Sequence, residues 1–195
     1  MKSARFEDVY ELSPMQQGIL FHTLYDPVSD LYFEQCLVTL RGKLDQEQFD
    51  RAWQRVAARH SILRTSFHWE GLEKPVQVVH SEVEVPFQSF DWSDLAGEVQ
   101  RSRLDAFIRE DRQKSFELTS APLFRVALFR RGEDLSDCLL SFQHIVLDRW
   151  SRFLLLKEVF AEYALLLRGS RAPLPAALPA RTVAARHRRV WRRLS

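Results

Sequence analysis

The sequence predicts an α+β domain, within the broad α/β class. Short runs rich in branched and aromatic residues, such as Tyr32–Leu40 and Leu123–Arg130, are interspersed with amphipathic stretches, such as Gln46–Arg59 and Arg149–Leu167. They follow one another without a strict βαβ repeat, an internal repeat or a glycine-rich turn. With 195 residues, 46% hydrophobic and 28% charged, the chain suits one globular domain, or one domain with an appendage, rather than a disordered segment.

Each element has its own signal. Leu12-Ser13-Pro14 opens a first helix, with Ser13 as N-cap and Pro14 at the first helical position; Ile19, Leu20 and Leu24 form its apolar stripe, and Asp26-Pro27 ends it. Tyr32–Leu40 reads as a strand. Asp45 caps a second helix over Gln46–Arg59, with Phe49, Ala52, Trp53 and Val56 at helical spacing. Arg64–Trp69 and Pro75–His80 read as strands about a turn at Gly71, and Val83–Phe90 as another. Asp94 caps a helix to about Lys114. Leu123–Arg130 and Cys138–Ile145 are strands joined by a polar turn. Arg149–Leu167 is the last helix, with Phe153, Leu156, Phe160 and Leu167 on one face. From Arg168 the chain changes character. Pro173, Pro175 and Pro179 make a stiff linker, after which Val183, His187, Val190, Trp191 and Leu194 share one helical face among arginines.

Charge and cysteine usage exclude several function classes. The net charge of +2 is unevenly spread: all 26 acidic residues lie at or before Glu162, and the rest of the chain carries eight arginines and no acid. The acidic body gives no reason to expect nucleic-acid binding, and only the tail forms a basic patch. Cys36 and Cys138 lie in apolar strand-like runs and read as buried free thiols, with no disulfide framework or metal-ligand spacing. The N-terminal residues lack the apolar region of a signal peptide, and no run of about 18 apolar residues appears, so a cytoplasmic address without membrane contact is expected.

The stretch LLSFQHIVLDRWS, Leu139–Ser151, carries the chemistry. An apolar strand delivers His144 to a turn, Asp148 follows four residues later, and a helix begins at once. An imidazole in that position can act as a general base; the competing reading is a histidine satisfied at a strand end. His22, His60, His68 and His80 read as packing or surface groups. Ser13, Ser61 and Ser66 form no convincing triad, and Trp53, Trp69, Trp92 and Trp150 are expected to fill core.

YELSPMQQGILFHTLYDPVSDLYFEQ (Tyr10–Gln35), RHSILRTSFHWEG (Arg59–Gly71), SFELTSAPLFRVALFRRGED (Ser115–Asp134) and QHIVLDRWS (Gln143–Ser151) occur in this order. Together they resemble the condensation domains of nonribosomal peptide synthetases, the last segment matching the active-site motif HHxxxDG. The resemblance spans about Tyr10–Leu167 and implies a chloramphenicol-acetyltransferase-like lobe, a mixed sheet flanked by helices. It implies that His144 is catalytic, as base or as stabiliser of the tetrahedral intermediate. It makes Gln143, in place of the motif's first histidine, a supporting residue. Asp148 is implied to be structural and paired with Arg64, or alternatively to cap the following helix. Arg149 replaces the motif glycine; a cation there can crowd the channel or reach for phosphate or carboxylate.

Family members have two lobes with a tunnel between them. Carrier proteins feed it phosphopantetheine-tethered substrates from opposite mouths, and an amine attacks a donor thioester to form a peptide bond. The resemblance implies no cofactor or metal bound by the chain itself. It covers the first lobe only, residues 1–167, followed by the linker and Arg-rich tail at 168–195, with the second lobe absent. Such a lobe is expected to expose an apolar face and to dimerise or dissolve poorly. The tail reads as a solvated basic helix, as the product of an early end or changed reading frame, or as a docking or membrane-surface helix. Two other functions fit the same residues: a catalytically incomplete carrier-binding module, and an epimerising or ester-forming relative.

Overall fold

In this computed structural model, residues 6–26 and 31–169 are described. Residues 170–195, with the proline linker and most of the Arg-rich tail, and Pro27 lie outside them. The elements run β1 (Phe6–Glu11), α1 (Pro14–Tyr25), β2 (Phe33–Arg41), α2 (Gln46–Arg59), a 3₁₀ turn (Ser61–Arg64), β3 (Thr65–His68), β4 (Val76–His80), β5 (Phe87–Asp91), α3 (Gly97–Gln113), β6 (Phe124–Gly132), β7 (Leu135–Gln143) and α4 (Arg149–Leu167). They form a four-stranded mixed sheet, order β2-β7-β6-β5, and a three-stranded sheet, order β1-β4-β3. The only parallel pair of the larger sheet is β5–β6, joined through α3 as parallel strands require.

The period of two along β6 and β7 decides the layering. Phe124, Val126 and Leu128 of β6, with Cys138, Leu140 and Phe142 of β7, face a cluster that includes Phe49, Trp53 and Val56 of α2 and Leu156 and Val159 of α4. Ala127, Phe129 and Leu139 face the opposite way, under α3, with Trp92 and Leu104. β7 is buried from Ser136 to Gln143, as a central strand covered on both faces must be. Burying a Phe or Leu side chain contributes about 1.5–3 kcal/mol, and both faces of β6 and β7 collect it. The smaller sheet collects less, because β1 leaves Phe6 and Val9 exposed.

The polar groups under α3 are joined. Asp111 accepts from Gln35 Nε2 at 2.8 Å, Arg125 Nε at 2.6 Å and Ser141 Oγ at 2.5 Å. Asp137 accepts from Thr39 and Arg131. On the other face, Glu162 is fully buried and sits 2.7 Å from Arg55 across the α2–α4 contact. Burial, with Cys36 and Asp137 nearby, pushes the Cys138 thiol up to about 12, so it stays protonated. Cys36 is only half-buried, and both thiols are free.

Several elements differ from the sequence reading. β1 is a strand the sequence did not announce, because its side chains are mostly exposed and its apolar residues few. Ser81–Pro86 is not strand: the Gln54 side chain takes both backbone groups of Val85, at 2.9 and 3.0 Å, which occupies the ladder positions. The third helix begins at Gly97 rather than after Asp94, where Gln100 folds its amide back onto the Trp92, Leu95 and Arg131 carbonyls. β7 starts at Leu135, opposite Arg41, which shortens the expected polar turn, and it stops at Gln143. α4 buries Leu155, Leu156, Val159, Glu162 and Leu166, so Phe153 and Leu167 point outward, and Trp150 is exposed rather than core. Among the described residues, no helix is long and apolar enough to cross a membrane, and no cluster of three or more His, Cys, Asp or Glu side chains can hold a metal ion.

Two helix starts follow the sequence. Ser13 and Gln16 form a reciprocal capping box on α1. Asp148 caps α4, accepting from Ser151 N at 2.7 Å. Partial burial opposes ionisation of Asp148, but the bonds from Ser151 and Trp150, with His144 nearby, outweigh it and hold the carboxyl below its usual range.

Asp111→Ala takes the carboxylate from Arg125 Nε, Gln35 Nε2 and Ser141 Oγ, while Arg125 Nη2 keeps the Asp111 and Lys114 carbonyls; it is expected to cost about 3 kcal/mol, read from the urea midpoint, and an unchanged midpoint contradicts the packing described. Asp148→Ala is expected to cost about 1 kcal/mol at neutral pH. Because its folded carboxyl ionises more readily than the unfolded one, this contribution is complete above about pH 4 and fades as pH falls through the folded value. The variant's deficit in thermal stability therefore shrinks in acid; a deficit constant down to low pH contradicts the cap.

Candidate functional site

His144 is the first residue past the buried run of β7. Its backbone N–H donates to the Tyr32 carbonyl at 2.9 Å, which extends the β2–β7 pairing by one step. Val146 N–H then donates to the Gln143 carbonyl at 3.1 Å and turns the chain toward α4. Ile145, Val146 and Leu147 are buried, so the turn is anchored in core and cannot swing with the imidazole. The His144 side chain is 30% exposed. Its Nδ1 is buried, while Glu34 Oε1 stands 2.9 Å away, off the N–H direction. The open edge of the ring is therefore the Nε2 edge. Arg152, one turn into α4, brings Nη1 to 3.7 Å from the other Glu34 oxygen.

The motif residues around His144 divide into two groups. Gln143 is buried beside it on β7, with Oε1 lacking a hydrogen-bond partner. Asp148 lies at the α4 N-cap and interacts electrostatically with His144. Arg149 is the first residue of α4 and is exposed. Arg64 is not part of this group. It is buried and donates to Glu7 Oε2 at 2.7 Å, to the His80 carbonyl and to Ser81 O at 3.4 Å. The expected Asp148–Arg64 pair is thus corrected: the alternative, Asp148 as a cap, holds, and Arg64 ties β1 to the end of β4. The 3₁₀ turn that ends in Arg64 aims the guanidinium at that strand end instead of at the α4 terminus.

The other described histidines are structural. His60 Nε2 lies 2.9 Å from Glu158, which also takes Arg59. His68 and His80 both turn Nε2 to the buried Ser66 hydroxyl, at 3.0 and 2.8 Å. Burial, His68 and Arg64 hold His80 below the usual histidine range, so it is the neutral form that packs there. The His22 ring sits 6.4 Å from that of Tyr32.

The helix that follows the His144 turn, α4, and α1, whose Gln16 Nε2 donates to the Ile145 carbonyl at 3.5 Å, leave apolar groups uncovered. α4 exposes Trp150, Phe153 and Leu154, and α1 exposes Met15, Phe21 and Tyr25, the last two stacked at 6.1 Å. The cavity of about 130 Å³ under α3, lined by Phe107, Asp111, Arg125 and Ser141 among others, lies elsewhere and does not border the imidazole. Glu34 and Arg152 were not singled out by the sequence reading. One signal was available: the apolar face Cys36, Val38, Leu40 of β2, stepped back by two, arrives at Glu34, and the β7 face Cys138, Leu140, Phe142, stepped forward by two, arrives at His144.

The condensation-domain family model matches residues 6–191. A component of the linear gramicidin synthase of Brevibacillus parabrevis is 44% identical over 175 residues, which is 90% of this chain and 3% of that protein. A component of the plipastatin synthase of Bacillus subtilis is 39% identical over 180 residues, 91% of this chain and 7% of the relative. The starter condensation domain of rhizomide synthetase superposes with a TM-score of 0.76 at 23% identity, over 86% of this chain and 41% of that one. The first condensation domain of the calcium-dependent antibiotic synthetase gives 0.81 at 21% identity, over 93% and 45%. The chain therefore spans a few per cent of these synthetases and less than half of the solved domains, and the fold is of the chloramphenicol-acetyltransferase type that the motifs implied. With the family model covering nearly its whole length, this chain belongs to the condensation-domain family.

Proposed function

We propose that residues 1–167 are the N-terminal lobe of a condensation domain that forms a peptide bond between carrier-tethered aminoacyl or peptidyl thioesters in nonribosomal peptide synthesis. The observation that carries this reading is the open Nε2 edge of His144, held at the end of β7 by the Tyr32 carbonyl at 2.9 Å. The acceptor amine attacks the donor thioester carbonyl carbon. His144 Nε2 takes one amine proton as the C–N bond forms, the C–S bond breaks, and the proton passes to the leaving pantetheine thiolate. Gln143 supports the turn, and Arg149 is placed to meet the phosphate of an incoming arm or to narrow its path. The phosphopantetheine arms belong to the carrier proteins, which with a second lobe and other synthetase domains are the partners. Neither nucleic acid nor a membrane enters this reading, and the reaction belongs in the cytoplasm.

The uncovered apolar surface on α1 and α4 supports a second lobe seated there, as does the coverage of less than half of the solved domains. The same facts favour one rival, a carrier-binding module that performs no turnover without a second wall, because positioning supplies much of such a rate. The chain is mixed with donor- and acceptor-loaded carrier proteins, with and without a second lobe added in trans. Product that depends on the added lobe, and that falls about 10²–10⁴-fold in His144→Ala, is the expected result. Carrier binding without product under both conditions contradicts it and favours the module.

A further inference from the structure

The face of the sheet that ends in His144 also carries a carboxylate. Glu34 pairs in register with Phe142, and His144 stands two residues beyond Phe142 on the same face, so the two side chains are diagonal cross-strand neighbours. His144 Nδ1 and Glu34 Oε1 are 2.9 Å apart. The second Glu34 oxygen faces Arg152 of α4 at 3.7 Å, so the carboxylate lies between an imidazole and a guanidinium supplied by two different elements.

We propose that Glu34 is the positioning residue for His144. This rests on the reading of His144 as the base. A carboxylate only accepts hydrogen bonds, so the imidazole nitrogen that faces it carries the proton, and the lone pair is placed on Nε2. Glu34 thus selects the tautomer that can take a proton from an amine. The N–H is off-axis with no substrate present, as is common before a catalytic complex tightens. When Nε2 takes the amine proton, the positive charge that develops on the ring lies next to a carboxylate. Arg152 keeps that carboxylate from rotating into solvent, and Asp148, the other charge that acts on His144, is held by the α4 backbone.

The test has a readout that needs no turnover. Nitrogen-15 NMR of the imidazoles in the full chain reports the tautomer of His144, assigned by its loss in His144→Ala. The wild type is expected to carry the proton on Nδ1. Glu34→Ala is expected to shift it to Nε2, while Glu34→Gln, which keeps an acceptor oxygen and the strand's packing, retains the Nδ1 form. In the two-lobe assay Glu34→Gln is expected to lower kcat about 10–100-fold with KM unchanged. That is less than the roughly 10⁴-fold loss for a buried orienting carboxylate, because the pair is 30% and 34% exposed. An unaltered tautomer in Glu34→Ala, or full kcat in Glu34→Gln, overturns the proposal. Full activity in His144→Ala with the tautomer shift intact instead overturns the base, and leaves Glu34 a structural neighbour of the ring.

Discussion

Everything at the site depends on where β7 stops. The strand is enclosed by β2 and β6 and covered by helices on both faces, so its register is fixed by burial along its length. One residue further on, the backbone is still tied to Tyr32, but the side chain has left the core. A histidine at that step is held by the rigidity of a central strand while one edge of its ring stays free. A slip of one residue would carry the imidazole into the buried position that Gln143 holds and bring Ile145 to the opening.

Charge placement separates the structural groups from the reactive one. Asp111, Asp137 and Glu162 are the deeper carboxylates, yet each is tied to an arginine: Asp111 and Asp137 lie under α3, and Glu162 closes the contact between α2 and α4. His68 and His80 spend their inward nitrogens on Ser66. Arg64 fastens the edge strand β1. His144 differs in keeping its ring partly exposed while its backbone N–H and the following turn are each constrained. Exposed apolar surface does not create that arrangement; the group is placed by the sheet.

Much of this was legible in the sequence. The Ser13 and Asp148 caps, the amphipathic run of α2 and the apolar runs of β2, β6 and β7 all obey local rules, and the four ordered motifs identified the family and the histidine. What escaped were features set by tertiary partners. Gln54 removes Val85 from a strand, Gln100 shifts the start of α3, and Arg64 turns to Glu7 rather than Asp148. Phe153 and Trp150 face outward although helical spacing and size suggested core, because α4 meets the sheet and α2 through Leu155, Leu156 and Val159 instead. Glu34 was hidden for a different reason: its role depends on cross-strand register, which alternation along β2 alone does not reveal.

The central claim is that a tethered thioester reaches the Nε2 edge of His144 before any other imidazole. A pantetheine bearing a chloroacetyl group in place of the donor acyl group places an electrophilic carbon where the thioester would stand. Peptide mapping after limited exposure is expected to find His144 alkylated on Nε2 ahead of every other histidine, with protection by excess acyl-pantetheine. Alkylation that spares His144 while it marks His22, His60, His68 or His80 would contradict the account.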